Sequence, residues 1–320
     1  MKILKILGII IVIPFAAVAV FSLVSVVNHK SQLRKEAQEF YPAESVVEVN
    51  HKKIHVFLEG EGDLTLVFMA GHGTSSPVID FKPLWSRMSD HYRIAVVERS
   101  GYGWSETSNT PRDLATVLAE TRTALELSGE NGPYVLIPHS MAGLEAVYRA
   151  QKYPGEVAAI IGLDPLTPEA FDVLPEPEKK QLYAMVLVSR IGLSRYIPDS
   201  DVEHYLPIMK SEELTEKDRQ EYLAAFYRSA YSKDMLREVD YLQANAEKVA
   251  EKEVPASIPM YLFISEGQEE TAKGWQAASL DFFSKIQHGK HRLLPAGHYV
   301  HYDQPEVIAE EAKAFLEEIK

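Results

Sequence analysis

The chain has 320 residues, 46% hydrophobic and 25% charged, which is enough apolar material for one large α/β domain with an insertion, or for two smaller domains. Its formal net charge of −13 argues against a nucleic-acid partner and against a basic membrane-surface patch. It contains no cysteine, so disulfides, thiolate metal sites and cysteine nucleophiles are excluded.

At the N-terminus, Met1-Lys2-Ile3-Leu4-Lys5 leads into Ile6 to Val27, a run with no charged residue that is long enough to span a bilayer. The expectation is a transmembrane signal anchor over residues 1–29. The protein is then single-pass, with its C-terminal part extracytoplasmic. Ala17-Val18-Ala19 offers a small-x-small site for the alternative, a cleaved signal peptide. Residues 30–42 are polar and read as a stalk.

Strands and helices then alternate. Val46 to Val49 and Ile54 to Leu58 show period-two patterning, with a turn at Glu59-Gly60-Glu61-Gly62-Asp63. Leu64 to Met69 and Arg93 to Val97 are continuous apolar runs, as in strands buried on both faces. Pro111 to Leu127 reads as a helix with Leu114, Val117, Leu118, Thr121 and Leu125 on one face. Tyr134 to Ile137 is a buried strand. It is followed by Pro138-His139-Ser140-Met141-Ala142-Gly143 and an amphipathic helix from Met141 to Tyr153. Ser140 therefore sits at the tip of a strand-to-helix turn, a position that suits a nucleophile and equally a simple N-cap.

Ala158 to Leu163 is the sixth strand. The alternation then stops, and residues 165–257 are helical in pattern. Thr215 opens one helix, and Leu236, Val239, Leu242, Ala246 and Val249 mark another. Met260 to Ile264 and His291 to Leu294 complete the strands. Helices follow over about 272–286 and 305–320, the last with Asp303 as N-cap and Glu306 as its capping-box partner. The fold class is α/β: a mostly parallel sheet flanked by helices, built from 43–164 and 258–320, with a helical insertion over 165–257.

Four segments, in this order, resemble the α/β-hydrolase family, in the branch with a helical cap after the sixth strand. Ala70-Gly71-His72-Gly73 is similar to its oxyanion loop. Glu98-Arg99-Ser100-Gly101-Tyr102-Gly103-Trp104-Ser105 looks like its loop after the fourth strand. Pro138 to Gly143 matches its nucleophile elbow. Pro295-Ala296-Gly297-His298-Tyr299, with Asp303-Gln304-Pro305-Glu306, matches its histidine loop. The resemblance covers roughly Val46 to Lys320.

It implies Ser140 as nucleophile and His298 as general base. It also implies an oxyanion hole from the main-chain N–H groups of His72 and Met141. The elbow departs from the family pattern at Pro138 and Ala142, where glycines are usual; Gly143 remains. The acid has two candidates. The family's usual loop, Ser265 to Glu270, lacks aspartate and offers Glu270. Asp164, which ends the sixth strand, is preferred because a strand's C-terminal end faces the site crevice. His139 is expected to pack beneath the elbow, and His301 to be structural. Most of Tyr183, Tyr196, Tyr205, Tyr222, Tyr227, Tyr231 and Tyr241 are expected to pack the insertion rather than line a pocket.

No metal-ligand spacing or phosphate-cradling loop stands out, so no metal or cofactor is expected. The resulting expectation is a membrane-tethered serine hydrolase acting on carboxylic esters or related acyl compounds. Its partners are a small-molecule acyl substrate and, through the N-terminal helix, the membrane. The serine argues against the aspartate-nucleophile branches, the epoxide hydrolases and haloalkane dehalogenases. The alternative is a catalytically weak hydrolase-fold binding or receptor module, favoured by Pro138 and the two-way choice of acid.

Overall fold

The computed structural model describes residues 2–175, 179–198, 201–202 and 206–320, with side chains from Pro14 onward. Met1 and Tyr205 lie outside the described residues. Eight strands form one sheet: β1 (Val46–Val49), β2 (Lys52–Glu59), β3 (Thr65–Met69), β4 (Arg93–Glu98), β5 (Tyr134–Pro138), β6 (Val157–Leu163), β7 (Met260–Ser265) and β8 (Gly289–Leu294). Their order is β1-β2-β4-β3-β5-β6-β7-β8. β1 and β2 pair antiparallel, as do β2 and β4, and the remaining pairs are parallel. This is the fold class that the alternation of strands and helices predicts.

The described helices are α1 (Lys2–Phe40), α2 (Pro77–Asp80), α3 (Lys82–Trp85), α4 (Leu114–Leu127), α5 (Ala142–Lys152), α6 (Pro168–Phe171), α7 (Lys179–Arg190), α8 (Glu216–Ser229), α9 (Lys233–Ala250), α10 (Trp275–Phe283), α11 (Val300–Asp303) and α12 (Pro305–Glu318).

The period of two divides the central strands between two cores. Val67, Met69, Tyr134, Leu136 and Ile160 pack with Leu118 and Leu125 of α4, Leu144 and Val147 of α5, and Trp275 and Phe282 of α10. Leu66, Phe68, Val135, Ile137 and Ile161 pack on the other face with Leu84 of α3 and Ile308, Phe315 and Leu316 of α12. Both faces are covered, which is why these strands read as continuous apolar runs. β8 lies at the sheet edge, and its polar Lys290, His291 and Arg292 are exposed.

Local signals set several helix starts. α4 begins at Leu114 rather than Pro111, because the Asp113 side chain accepts the Thr116 N–H. α8 opens with a capping box between Thr215 and Asp218. The last helix corrects an expectation. Gln304 is its N-cap, with no side-chain bond, and Asp303 instead accepts the Gly297 N–H at 3.0 Å, in the turn before His298.

The N-terminus corrects a larger one. Among the described residues no helix is long and apolar enough to cross a membrane. The signal anchor, the single-pass extracytoplasmic location and the membrane partner are overturned with it. The physical reason lies in what α1 packs against. The helix runs unbroken to Phe40 through the expected stalk, and its later turns dock on the segment between β6 and β7. The Ser25 hydroxyl donates to Ile191 O at 2.6 Å. Arg195 donates to both Glu36 carboxylate oxygens, at 2.6 and 2.8 Å, and to His29 Nδ1 at 2.9 Å. Polar residues inside and just beyond the apolar run thus hold a protein interface.

Candidate active site

β5 ends at Pro138, and α5 begins at Ala142. Between them Ser140 takes φ +51°, a left-handed conformation that a residue with a Cβ rarely adopts. The Ser140 carbonyl accepts N–H groups from Gly143 and Leu166, both at 2.8 Å. These bonds fix the strained turn.

The crowding explains which elbow residues can vary. A Cβ on Gly143 would come within 2.4 Å of Leu166 O, so this glycine is required. Ala142 is fully buried, with its methyl group accommodated in the core. Pro138 lacks an N–H, and the next residue, His139, donates to Met69 O at 2.9 Å and keeps the strand end joined to β3.

The structure brings Ser140, His298 and Asp164 together. His298 Nε2 is 2.8 Å from Ser140 Oγ, and His298 Nδ1 is 2.6 Å from Asp164 Oδ2. Asp164 is fully buried and takes φ +48° at the end of β6. Its carboxylate also accepts the Ser265 N–H at 2.9 Å, the Ser265 hydroxyl at 2.7 Å and Trp275 Nε1–H at 2.8 Å. Glu270 is exposed at the end of a 3-10 turn after β7. The carboxylate in contact with His298 is that of Asp164, and Glu270 does not reach it.

The loop carrying His72 lies against the serine: a Cβ on Gly71 would fall 2.8 Å from Ser140 Cβ. His72 and Met141 thus flank Ser140, one on the loop after β3 and one at the start of α5. His139 packs beneath the elbow, with its Nε2 3.1 Å from His298 O and its ring 4.8 Å from the His298 ring. Burial, and then His301 and His298, push the His139 pKa well below its usual value. Burial followed by His298 lowers His301 to about 3. Both imidazoles are neutral near pH 7, so neither opposes an imidazolium at His298.

Two polar clusters next to the site escape sequence reasoning. In the first, Glu238 of α9 is buried among core loops. It accepts a hydrogen bond from the Tyr102 hydroxyl, and its oxygens lie 3.5 Å from His72 Nδ1 and 3.6 Å from Arg99 Nε and Arg112 Nη2. Burial raises its pKa, but Arg99, His72 and Arg112 together outweigh that and hold it at about 2. Arg99 also reaches Gly71 O at 3.5 Å and Glu145 of α5 at 3.4 Å.

In the second cluster, the Tyr302 hydroxyl donates to buried Asp80 Oδ1 at 2.5 Å. Burial raises the Asp80 carboxyl to about 7, against hydrogen bonds from Tyr302, Tyr222 and Thr74. Tyr302 stacks on Tyr299, the residue after His298, at 4.8 Å. Each cluster joins residues distant in sequence, and no periodicity or motif marks them. Beside the site lies a cavity of about 670 Å³, reached by His72, Gly73 and Tyr299.

A model of the alpha/beta hydrolase family matches residues 66–311. The chain is 32% identical over 327 residues to YbdG, an uncharacterized protein of Bacillus subtilis, covering 99% of this chain and 98% of that one. A stretch of 132 residues is 31% identical to the 2-(acetamidomethylene)succinate hydrolase of Mesorhizobium japonicum, covering 40% of this chain and 46% of the relative. In structure the chain is similar to an epoxide hydrolase from Vigna radiata, with a TM-score of 0.65, 18% identity, and coverage of 85% of this chain and 97% of that one. At that identity the likeness concerns the fold alone.

Proposed function

We propose a serine-hydrolase activity for this chain, which belongs to the alpha/beta hydrolase family: cleavage of carboxylic esters or related acyl compounds through an acyl-enzyme. One observation carries the reading, the unbroken line of contacts from Ser140 Oγ through His298 to Asp164, at 2.8 and 2.6 Å. A serine hydroxyl is a poor nucleophile at neutral pH without a base in hydrogen-bond reach. In this reading His298 Nε2 takes the Ser140 proton as Oγ attacks the carbonyl carbon. Asp164 holds Nδ1–H, fixing the tautomer and stabilising the imidazolium that forms.

The developing oxyanion is met by the main-chain N–H groups of Met141 and His72. Collapse expels the alcohol, which takes its proton from His298. Water, deprotonated by the same imidazole, then releases the acid and restores Ser140. An aspartate at the elbow would form an alkyl-enzyme ester instead; Ser140 favours acyl transfer.

A fluorophosphonate probe and an activated ester test the reading together. The protein should be labelled and should turn over p-nitrophenyl acetate, and Ser140→Ala should do neither while keeping its fold. An unlabelled wild-type serine would favour the binding-module alternative.

A further inference from the structure

We propose that the cavity beside Ser140 holds an uncharged hydrocarbon portion of the substrate, so that the enzyme selects esters of apolar acids or apolar alcohols. This deepens the serine-hydrolase reading and rests on it.

The position of the cavity ties it to the chemistry. His72 and Gly73 line it from the loop that touches Ser140 Cβ, and Tyr299 lines it from the residue after His298. Its volume of about 670 Å³ is that of a small-molecule site. Most of its far wall is apolar, with Leu182, Met185 and Val188 from α7, Ile197, Leu206, and Phe226 from α8, interrupted by Gln181, Ser189 and Ser194.

Charge completes the argument. Among the described residues no lysine or arginine lines the cavity. The chain as a whole carries −13. A carboxylate or phosphate entering this space would lose hydration with no described lysine or arginine to replace it, which is strongly unfavourable. A methylene chain would gain from burial at each carbon, a factor of about four in kcat/KM per methylene.

The experiment measures kcat/KM on the full chain in two arms. One lengthens the acyl chain of p-nitrophenyl esters from acetate through butyrate to octanoate. The other lengthens the alcohol of acetate esters from ethyl to octyl. The arm that enters the cavity should rise by about fourfold per methylene until the cavity is filled. The p-nitrophenyl monoester of adipate should fall about tenfold or more below the hexanoate, because its far carboxylate is desolvated. Ala184→Trp and Ala230→Trp, which fill the cavity from two sides, should each lower the long-to-short ratio by about tenfold. Flat profiles in both arms, or equal handling of adipate and hexanoate, overturn the proposal.

If no ester of any length is cleaved, the hydrolase reading fails, and the cavity is judged separately by calorimetric titration of the protein with 1-decanol. Saturable binding, weakened about tenfold by Ala230→Trp, supports a hydrocarbon site; no binding overturns it.

Discussion

Replacement of Asp164 by asparagine gives the sharpest prediction, because the structure dictates how the amide must sit. Asp164 Oδ1 accepts from the Ser265 main-chain N–H and from Trp275 Nε1–H. Both are obligate donors, so the asparagine oxygen must occupy that position. The NH2 group is then forced into the place of Oδ2, facing the Ser265 hydroxyl and His298 Nδ1. Ser265 can rotate its hydroxyl and accept. His298 can accept only with Nδ1 unprotonated, which puts its proton on Nε2, against Ser140 Oγ. The base is then unable to take the serine proton.

A serine triad with its histidine in the wrong tautomer loses about 10⁴ in kcat, equivalent to about 5.5 kcal/mol of transition-state stabilisation. Substrate binding uses none of these atoms, so KM should change little. Stopped-flow hydrolysis of p-nitrophenyl butyrate, with circular dichroism to check the fold, measures both parameters. Glu270→Gln serves as the control and should stay within about twofold of wild type, because its side chain is exposed. A loss of less than about tenfold in Asp164→Asn, or a larger loss in Glu270→Gln, would refute the argument.

Other consequences can be measured on the same protein. His298→Ala should be as inactive as Ser140→Ala and the double variant little worse, because the two act as a unit; additive losses in kcat would contradict this. Asp80 is raised from 3.8 to about 7, so the folded protein keeps a proton that the unfolded chain releases. Its contribution to stability is complete below about pH 4 and is lost as the pH rises to about 7, a change on the order of 4 kcal/mol. Urea unfolding should therefore show Asp80→Asn gaining on wild type across that window, and parallel curves would dispose of the idea. Glu238→Gln removes the counter-charge shared by Arg99 and Arg112, leaving them only Glu145 and Glu120, and should cost about 2–3 kcal/mol in the same assay; a cost below about 1 kcal/mol would show that the cluster is not held by charge. Arg195→Met breaks the two-pronged contact with Glu36 and should lower Tm by several degrees, for a loss of about 2 kcal/mol, without affecting fluorophosphonate labelling. An unchanged Tm would mean that α1 is not held to the rest of the protein by this contact.

The features legible in the sequence were those written in local pattern. Runs such as Leu66 to Met69 and Val135 to Ile137 announce strands covered on both faces, because every residue in them is apolar. Ser140 could be singled out because it falls at the tip of the turn between such a strand and an amphipathic helix, in the third of four segments whose order resembles the family. Features made by distant residues were not legible. Glu238 lies in a helix whose apolar positions, Leu236, Val239, Leu242, Ala246 and Val249, suggest the buried face. Ala246 and Val249 are buried there, but so are Glu238 and Asn245 with Met235, while Leu236, Val239 and Leu242 are only partly covered. A polar residue is buried there because Arg99, Arg112 and Tyr102 meet it, and nothing local encodes that meeting. The N-terminal run misled for a related reason. Hydropathy counts apolar residues, but it does not reveal that Ser25, His29 and Glu36 follow one another along a helix face with partners waiting at Ile191 and Arg195.

The root of the helical insertion has a consequence for how such a protein can change. Asp164 donates its N–H to Phe263 O at 2.7 Å, and two residues later Leu166 donates to the carbonyl of Ser140. The chain is therefore moored to the Ser140 peptide before it leaves the sheet. The groups that hold the Asp164 carboxylate, Ser265 and Trp275, lie in β7 and α10, and the apolar wall contributed by α7 and α8 lies between them and the mooring in sequence. Changes confined to α7 alter the shape of the cavity, whereas α9 reaches the loop beside Ser140, since its Glu238 lies 3.5 Å from His72 Nδ1. A graft confined to α7 should therefore shift the preference alone, whereas one that also replaces α9 removes Glu238 from His72, Arg99 and Arg112 and should alter preference and reactivity together.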